Sequence, residues 1–209
     1  MLTKKMLNML PQEDRNTVLR RELLTGTVET VAALGLENTT TNAICKTCGV
    51  NVAYIYRFFA DKEDLIAKAF DMVDEDFLDQ VLGNYTVLHY QSIDYESRCH
   101  VLFTKCWDFL MQRPKELTFY MHYYYSSSFS KYSQKDHFKR YTELFEKMKT
   151  AFPDTVDVKL VMHHILNTLL CGARRQITDP TVDNAIAGEK CFRLIFSVVK
   201  SYVKQEKLN

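Results

Sequence analysis

The chain has 209 residues, of which 46% are hydrophobic and 25% charged, and its formal net charge at pH 7 is +1. This length and balance are typical of a folded protein with one large helical domain, or with a small module joined to a larger one. The near-neutral charge gives no global indication of nucleic-acid binding, which needs Lys and Arg clustered locally. No apolar run reaches the roughly 18 residues that cross a bilayer, and the first residues lack a signal-peptide pattern. We therefore expect a cytoplasmic protein with no membrane partner.

The polar and cysteine residues predict neither a metal site nor an enzyme. The six cysteines are scattered, so we expect them to be reduced. Cys45 and Cys48 have Cys-x-x-Cys spacing, but no second pair or suitably spaced histidine completes a zinc site. His163 and His164 are adjacent and would point about 100° apart on a helix, so they cannot share a metal. No nucleotide-binding or catalytic motif occurs, and we expect no cofactor.

Helical periodicity dominates the chain. Only six glycines and four prolines interrupt it, and the apolar residues between them recur at helical spacing, so the predicted fold class is all-α. The predicted helices cover residues 11–34, 41–48, 52–59, 61–82, 94–112, 114–126, 134–152, 155–177 and 181–204. We expect an N-terminal domain over residues 1–60 that contains three helices, a connecting helix over 61–85, and a larger domain over 86–209.

The segment from Thr41 to Phe59 has the pattern of a helix-turn-helix. A short first helix would end at Gly49, where glycine tolerates a positive φ, and Asn51 can cap a second helix of about two turns. Ile55 and Phe59 would face the core because they lie four residues apart. The second helix of such a motif enters the DNA major groove. More exposed positions on it would be Val52, Ala53, Tyr54, Tyr56 and Arg57.

These residues resemble the N-terminal domain of the tetracycline-repressor (TetR) family. The resemblance covers about residues 11–70, and the residues that carry it are Gly35-Leu36, Thr39-Thr40, Ile44, Cys48-Gly49-Val50-Asn51, Tyr54-Ile55-Tyr56-Arg57-Phe58-Phe59 and Asp61-Lys62-Glu63-Asp64-Leu65. It implies a homodimeric, ligand-responsive transcription regulator, usually a repressor, that binds a double-stranded DNA operator. It also implies that the C-terminal helices hold the dimer interface and the pocket for a small-molecule effector.

The resemblance assigns DNA contacts to individual residues. Phosphate contacts would come from Thr40, Tyr56 and Lys62, and contacts in the groove from Val52, Ala53, Tyr54 and Arg57. Tyr54 puts a bulky ring where the family usually has a small side chain, so we expect an unusual operator. Phe58 replaces a residue that is often His or Tyr, which removes one possible phosphate hydrogen bond. These two departures favour a second hypothesis, a TetR-like protein-interaction module without specific operator binding.

The aromatic run over residues 119–125 suggests a ligand cavity, because consecutive helical residues point in all directions and cannot all be core. Such a cavity suits an apolar or aromatic ligand, or a lipophilic cation. Simple packing of the rings between helices remains an alternative for each tyrosine. The predicted lining comprises Phe103, Trp107, Met111, Tyr120, Tyr124, Phe145, Met148 and His164.

The last two predicted helices are apolar over more than one face. One side would pack on its own subunit and the other on a two-fold mate, which gives an isologous four-helix interface. The predicted interface residues are Val161, Ile165, Leu169, Phe192, Ile195, Phe196 and Val199.

Overall fold

A computed structural model describes residues 11–207, so residues 1–10 and 208–209 of the predicted domains lie outside it. Between residues 11 and 207 the chain is helical and contains no β-strand, and none of the helices described there is long and apolar enough to span a membrane. The helices are α1 (Gln12–Leu34), α2 (Thr41–Cys48), α3 (Ala53–Phe58), α4 (Lys62–Asn84), α5 (Tyr95–Met111), α6 (Pro114–Tyr124), α7 (Ser127–Tyr132), α8 (Gln134–Arg140), α9 (Thr142–Lys149), α10 (Val158–Thr178) and α11 (Asn184–Tyr202). Short 3-10 helices cover Tyr85–His89 and Gln205–Lys207. The predicted all-α class is confirmed.

Between α6 and α10 the structure differs from the predicted helices in two ways: it has an additional short helix, and one predicted helix is divided in two. The serine-rich stretch after α6 forms α7, because the Ser126 hydroxyl accepts a hydrogen bond from the Phe129 backbone N–H at 3.3 Å and the Phe129 ring is buried. The predicted helix over residues 134–152 is divided into α8 and α9 at Tyr141. The backbone there has φ −77° and ψ −1°, away from ideal helical geometry.

The helices form two compact units. The first unit comprises residues 11–74 and 118–135, and the second comprises residues 75–117 and 136–207. The α4 helix contributes residues to both, since it runs from Lys62 to Asn84. Packing thus groups segments that are distant in sequence, and the predicted domain boundaries at residues 60 and 85 remain a prediction.

The first unit has a continuous apolar core. Leu23 of α1, Ile44 of α2, Ile55 of α3 and Leu65 of α4 are fully buried, which joins the four N-terminal helices. The Phe70 ring of α4 extends this core, with centroid distances of 5.0 Å to Tyr120, 4.9 Å to Tyr123 and 5.4 Å to Phe129. These aromatic contacts join the end of α6 and α7 to the helix-turn-helix.

The second unit is built around the pairing of α10 with α11. The connection between them is fixed where Gln176 donates a hydrogen bond to the Val182 carbonyl at 2.8 Å. Gly172 of α10 permits a close approach, because an added Cβ would lie 2.7 Å from the Cys191 Sγ of α11. A second cluster beside this pair is formed by Leu78, Tyr85, Tyr141 and Leu144.

Candidate nucleic-acid interface

The turn between α2 and α3 is built from local capping interactions. Thr40 caps α2 by accepting a hydrogen bond from the Ala43 N–H at 3.1 Å. Gly49 ends α2 with φ +67°, a conformation that costs glycine little. The Asn51 Oδ1 atom accepts from the Ala53 N–H at 2.9 Å and starts α3. Gly49 and Asn51 occupy the places that the sequence predicted for them.

The α1 helix packs against α2, the helix that precedes this turn. Gly26 of α1 lies directly against the Cys48 Sγ atom, leaving no room for a side chain on Gly26. Thr30 of α1 donates a hydrogen bond to the Thr47 hydroxyl of α2 at 3.0 Å. Sequence reasoning did not find these contacts, although a glycine inside a strongly helical segment is a signal of close packing.

The α3 helix has one buried face and one accessible face. Ile55 is fully buried and Phe59, just after the helix, is 4% exposed, so both predicted core positions are core. Tyr56 is 61% exposed, and Ala53 and Arg57 are exposed as well. Val52 and Tyr54 are half-buried. The predicted DNA-contacting residues of α3, which include Tyr56 as a phosphate contact and Arg57 as a groove contact, are therefore accessible to different degrees.

The guanidinium of Arg57 has no acidic partner among the residues that the structure describes. Its carbon lies 5.6 Å from the centroid of the Phe58 ring, which holds the side chain by a cation–π contact. A guanidinium of this kind keeps all its N–H donors for an external acceptor. Phosphate oxygens and the O6 and N7 atoms of guanine are acceptors that suit it.

Lys62, the first residue of α4, makes polar contacts with the turn before α2. Its ammonium donates a hydrogen bond to the Thr39 carbonyl at 3.3 Å and lies 3.5 Å from the Glu63 carboxylate. The side chain remains 32% exposed. Lys62 thus ties the turn before α2 to α4 and still offers a positive charge to solvent beside the exposed Thr40.

A reciprocal cap fixes the joint between α3 and α4. Asp61 accepts a hydrogen bond from the Asp64 N–H at 2.7 Å, and Asp64 accepts from the Ala60 N–H at 3.0 Å. This arrangement stabilises the first turn of α4 and fixes the direction in which the chain leaves α3.

The predicted pocket residues belong to different parts of the structure. Tyr120 and Tyr124 lie in the first unit and stack with ring centroids 5.5 Å apart. In the second unit, Phe103 stacks on Trp107 at 5.8 Å, while Phe145 and Met148 pack against the cluster of Tyr141 and its neighbours. Met111 is half-buried. A single cavity lined by all eight predicted residues remains a prediction.

His164 is also part of that predicted lining. Its Nε2 atom is buried and has no hydrogen-bond partner within residues 11–207, whereas the neighbouring His163 is exposed. Within the same residues, no group of three or more His, Cys, Asp or Glu side chains is arranged to hold a metal ion. All six cysteines are free thiols.

The aromatic run of α6 is more deeply packed than its sequence indicated. Phe119, Tyr120, Tyr123 and Tyr124 are all buried, and only Tyr125, at 53% exposed, faces solvent. Tyr123 shares a hydrogen bond of 2.9 Å with the Ser133 hydroxyl, which satisfies its buried phenol. The alternative of simple packing describes most of these rings.

The predicted dimer residues are largely buried within the single chain. Ile165 is half-buried, and the other six are buried: Val161, Leu169, Phe192, Ile195, Phe196 and Val199. The exposed apolar side chains on α10 and α11 are instead Leu160 (66%), Leu194 (64%), Ile186 (52%) and Tyr202 (50%). Sequence periodicity could not separate these two sets, because both lie on wide apolar stripes.

Comparison with known proteins agrees with this geometry. Residues 23–69 match the family model described as bacterial regulatory proteins, tetR family. No curated protein sequence matches the chain. A TetR family transcription regulator from Marinobacter aquaeolei VT8 is similar in structure, with a TM-score of 0.75 and 17% identity over 93% of this chain and 100% of that one.

Two FadR structures are also similar. FadR from Bacillus subtilis, in complex with stearoyl-CoA, has a TM-score of 0.63 and 16% identity over 84% of this chain and 96% of its own. The fatty acid degradation regulator FadR from Bacillus halodurans has a TM-score of 0.66 and 19% identity over 85% and 94%. The resemblance to the TetR family is thus confirmed by sequence for residues 23–69, and the similarity of fold extends over 84–93% of the chain.

Proposed function

We propose that this protein is a sequence-specific, DNA-binding transcriptional regulator that acts as a homodimer, responds to a small molecule and has no enzymatic activity. The observation that carries the proposal is the accessible face of α3. Tyr56 and Arg57 project from it on a helix whose opposite face is anchored by the buried Ile55. A short helix supported in this way, with a free guanidinium, suits insertion into a major groove. In the family the usual outcome of such binding is repression, which we propose here.

A dimer follows from the same proposal, because operators of helix-turn-helix proteins present two half-sites. The exposed Leu160 and Leu194 on α10 and α11 support an interface on the outer side of this helix pair. We propose that these residues form its apolar centre, together with the partly exposed Ile165. The six buried residues that the sequence predicted for the interface would then form the core beneath it.

The proposal includes control by a small-molecule ligand. The fold can hold a small molecule, as the stearoyl-CoA complex of Bacillus subtilis FadR illustrates for that protein. For this chain we propose an apolar or aromatic effector, or a lipophilic cation, acting near the aromatic side chains of the second unit. The continuous α4 helix, which carries residues of both units, is the element that would transmit the effect.

The DNA-binding proposal is tested by comparing variants of two kinds on DNA from upstream of the protein's own gene. Arg57→Ala should cost about 1–3 kcal/mol on that DNA and relax the preference for it, because a base contact is lost. Lys62→Gln keeps a donor for the Thr39 carbonyl but removes the charge. It should weaken binding to all sequences alike and lower the slope of log affinity against log salt by roughly one per subunit.

Arg175→Ala is the matched control, because it removes an exposed arginine from α10, outside the helix-turn-helix. It should leave both affinity and salt dependence unchanged. If Arg57→Ala and Arg175→Ala have the same small effect, α3 does not read DNA. A folded dimer that ignores DNA altogether would favour the protein-interaction hypothesis.

A further inference from the structure

A groove of about 670 Å³ runs along the second unit between α5 and α11. This volume lies within the range of sites for small molecules. Phe103, Trp107 and Ile186 supply apolar surface, while the remaining lining is polar or small: His100, Thr104, Asp108, Asn184, Ala185, Gly188, Glu189, Lys190 and Arg193. The groove shares only Phe103 and Trp107 with the predicted effector lining, and it requires neither DNA binding nor that cavity.

The floor of the groove is held rigidly. The Trp107 Nε1–H donates to the Asn184 Oδ1 at 3.0 Å. Gly188 lets the indole lie against the α11 backbone, since an added Cβ would be only 3.2 Å from Nε1. The Phe103 ring stacks on the Trp107 ring, with their centroids 5.8 Å apart. A preformed apolar floor of this kind lowers the entropic cost of binding a ligand.

The Glu189 carboxylate in the groove already has hydrogen-bond partners. Glu189 accepts from the Arg193 Nε at 2.7 Å and lies 3.0 Å from the His100 Nε2. These two hydrogen bonds, that with Arg193 first, lower the pKa of the Glu189 carboxyl below its usual range. Glu189 therefore remains ionised, and the neighbouring Arg193 guanidinium balances its charge.

The free donors lie along one stripe of α11. Ile186, Lys190 and Arg193 are spaced i, i+4 and i+7, so they share one helix face over about 10 Å. Lys190 has no ion-pair or hydrogen-bond partner among the residues that the structure describes, and Arg193 uses Nε for Glu189 while its side chain stays 76% exposed. Asp108 is a carboxylate without an ion-pair partner between residues 11 and 207, but it belongs to α5, next to Trp107 and the Asn184 end of α11.

We infer that this groove binds a small amphipathic carboxylate. Its apolar body lies on Phe103 and Ile186, and its carboxylate is held by the Lys190 ammonium and the terminal nitrogens of Arg193. The groove has an apolar end at Ile186 and a donor-rich end at Lys190 and Arg193. This difference determines the orientation of the ligand. An anion at the donor-rich end lies away from Asp108, and the Glu189 carboxylate there is already hydrogen-bonded to the Arg193 Nε and the His100 Nε2. Lys190 leaves that end with a positive charge that attracts a carboxylate and repels a cation.

The test uses three probes with the same phenylpropyl body: 3-phenylpropanoate, 3-phenylpropanol and 3-phenylpropylammonium. Trp107 is the only tryptophan, so its fluorescence reports binding without a label, and calorimetry without DNA gives an independent measure. The carboxylate should bind saturably with a dissociation constant of roughly 0.1–5 mM, as expected for about eleven non-hydrogen atoms. The alcohol should bind more weakly and the ammonium weakest. Equal binding of all three, or no saturable binding of the carboxylate, would overturn the inference.

Lys190→Glu should weaken carboxylate binding at least roughly fivefold, since it replaces an attractive charge by a repulsive one. Lys200→Glu makes the same charge change on an exposed residue of α11 outside the groove and should leave binding unchanged. If both variants lose the same affinity for the carboxylate, the loss reflects the net charge of the protein, and the proposed site is wrong. Binding that is seen only when the protein is diluted to monomer would assign the groove to a second copy of the chain, which would also overturn it. Failure of these tests leaves the DNA-binding proposal untouched, because no DNA is present.

Discussion

The packing of α1 on α2 predicts that Gly26→Ala and Cys48→Ala are energetically coupled. An added Cβ on Gly26 would overlap the Cys48 Sγ atom, but the next nearest atoms, the Cys48 Cβ and N, would be 3.6 and 3.8 Å away. Removing Sγ alone therefore makes room for the alanine. Overpacking at Gly26 costs about 1–3 kcal/mol, from which a helix-propensity gain of about 1 kcal/mol is subtracted. The single variant should lose about 0–2 kcal/mol.

The effect of Cys48→Ala on stability should depend on whether residue 26 is glycine or alanine. In the wild-type protein, Cys48→Ala removes a buried sulfur atom and should cost about 1 kcal/mol. In the Gly26→Ala background the same change relieves the overlap and should be neutral or stabilising, which gives a coupling energy of about 1–3 kcal/mol. Urea unfolding followed by circular dichroism, at a fixed protein concentration, measures all four proteins.

Gly83→Ala is the matched control for this cycle. It lies in α4, and nothing is within 4 Å of an added Cβ, so it should be neutral or stabilising by up to about 1 kcal/mol. If Cys48→Ala costs the same in both backgrounds, to within about 0.5 kcal/mol, the close contact of α1 with α2 is refuted.

Three further predictions address the interface, the capping and the thiols. Leu194→Glu should convert the proposed dimer to monomer in ultracentrifugation, because it would place a charge in the proposed apolar interface, whereas Val101→Glu, on the exposed surface of α5, should not. Asp61→Ala should lower the unfolding free energy by about 1 kcal/mol and Asp61→Asn by less, since asparagine keeps the acceptor for the Asp64 N–H. Burial raises the pKa of Cys48 and Cys191 to about 11 and that of Cys106 to about 12, so these thiols are protonated at pH 8 and should resist alkylation until the protein unfolds. Mass spectrometry of their peptides checks this, and rapid labelling in the folded protein would contradict the burial.

Local signals explain why the helix-turn-helix could be predicted from sequence. Thr40, Gly49, Asn51 and Asp61 each determine a cap or turn through their own backbone or side-chain chemistry. Such interactions span two to four residues, so their positions can be identified in the sequence. The class of fold and the candidate DNA-binding face follow from them.

Packing over longer distances explains what the sequence did not reveal. The division of the predicted helix at Tyr141 involves neither glycine nor proline, and the Tyr141 side chain is buried in a cluster with Leu78 and Tyr85. The α7 helix is stabilised by the burial of Phe129 against Phe70, 59 positions earlier in the chain. Likewise, periodicity marked α10 and α11 as apolar but could not show that Phe192 is buried while Leu194 is exposed.

The most direct test of the central proposal is the ratio of two affinities at one physiological salt concentration. The wild-type dimer is titrated with DNA from upstream of its own gene and with a shuffled duplex of the same length and composition. We predict that it binds the upstream DNA at least about 1,000-fold more tightly, as specific regulators do. Equal affinity for the two duplexes, measured on protein that is folded and dimeric, would contradict the proposal that this chain is a sequence-specific regulator.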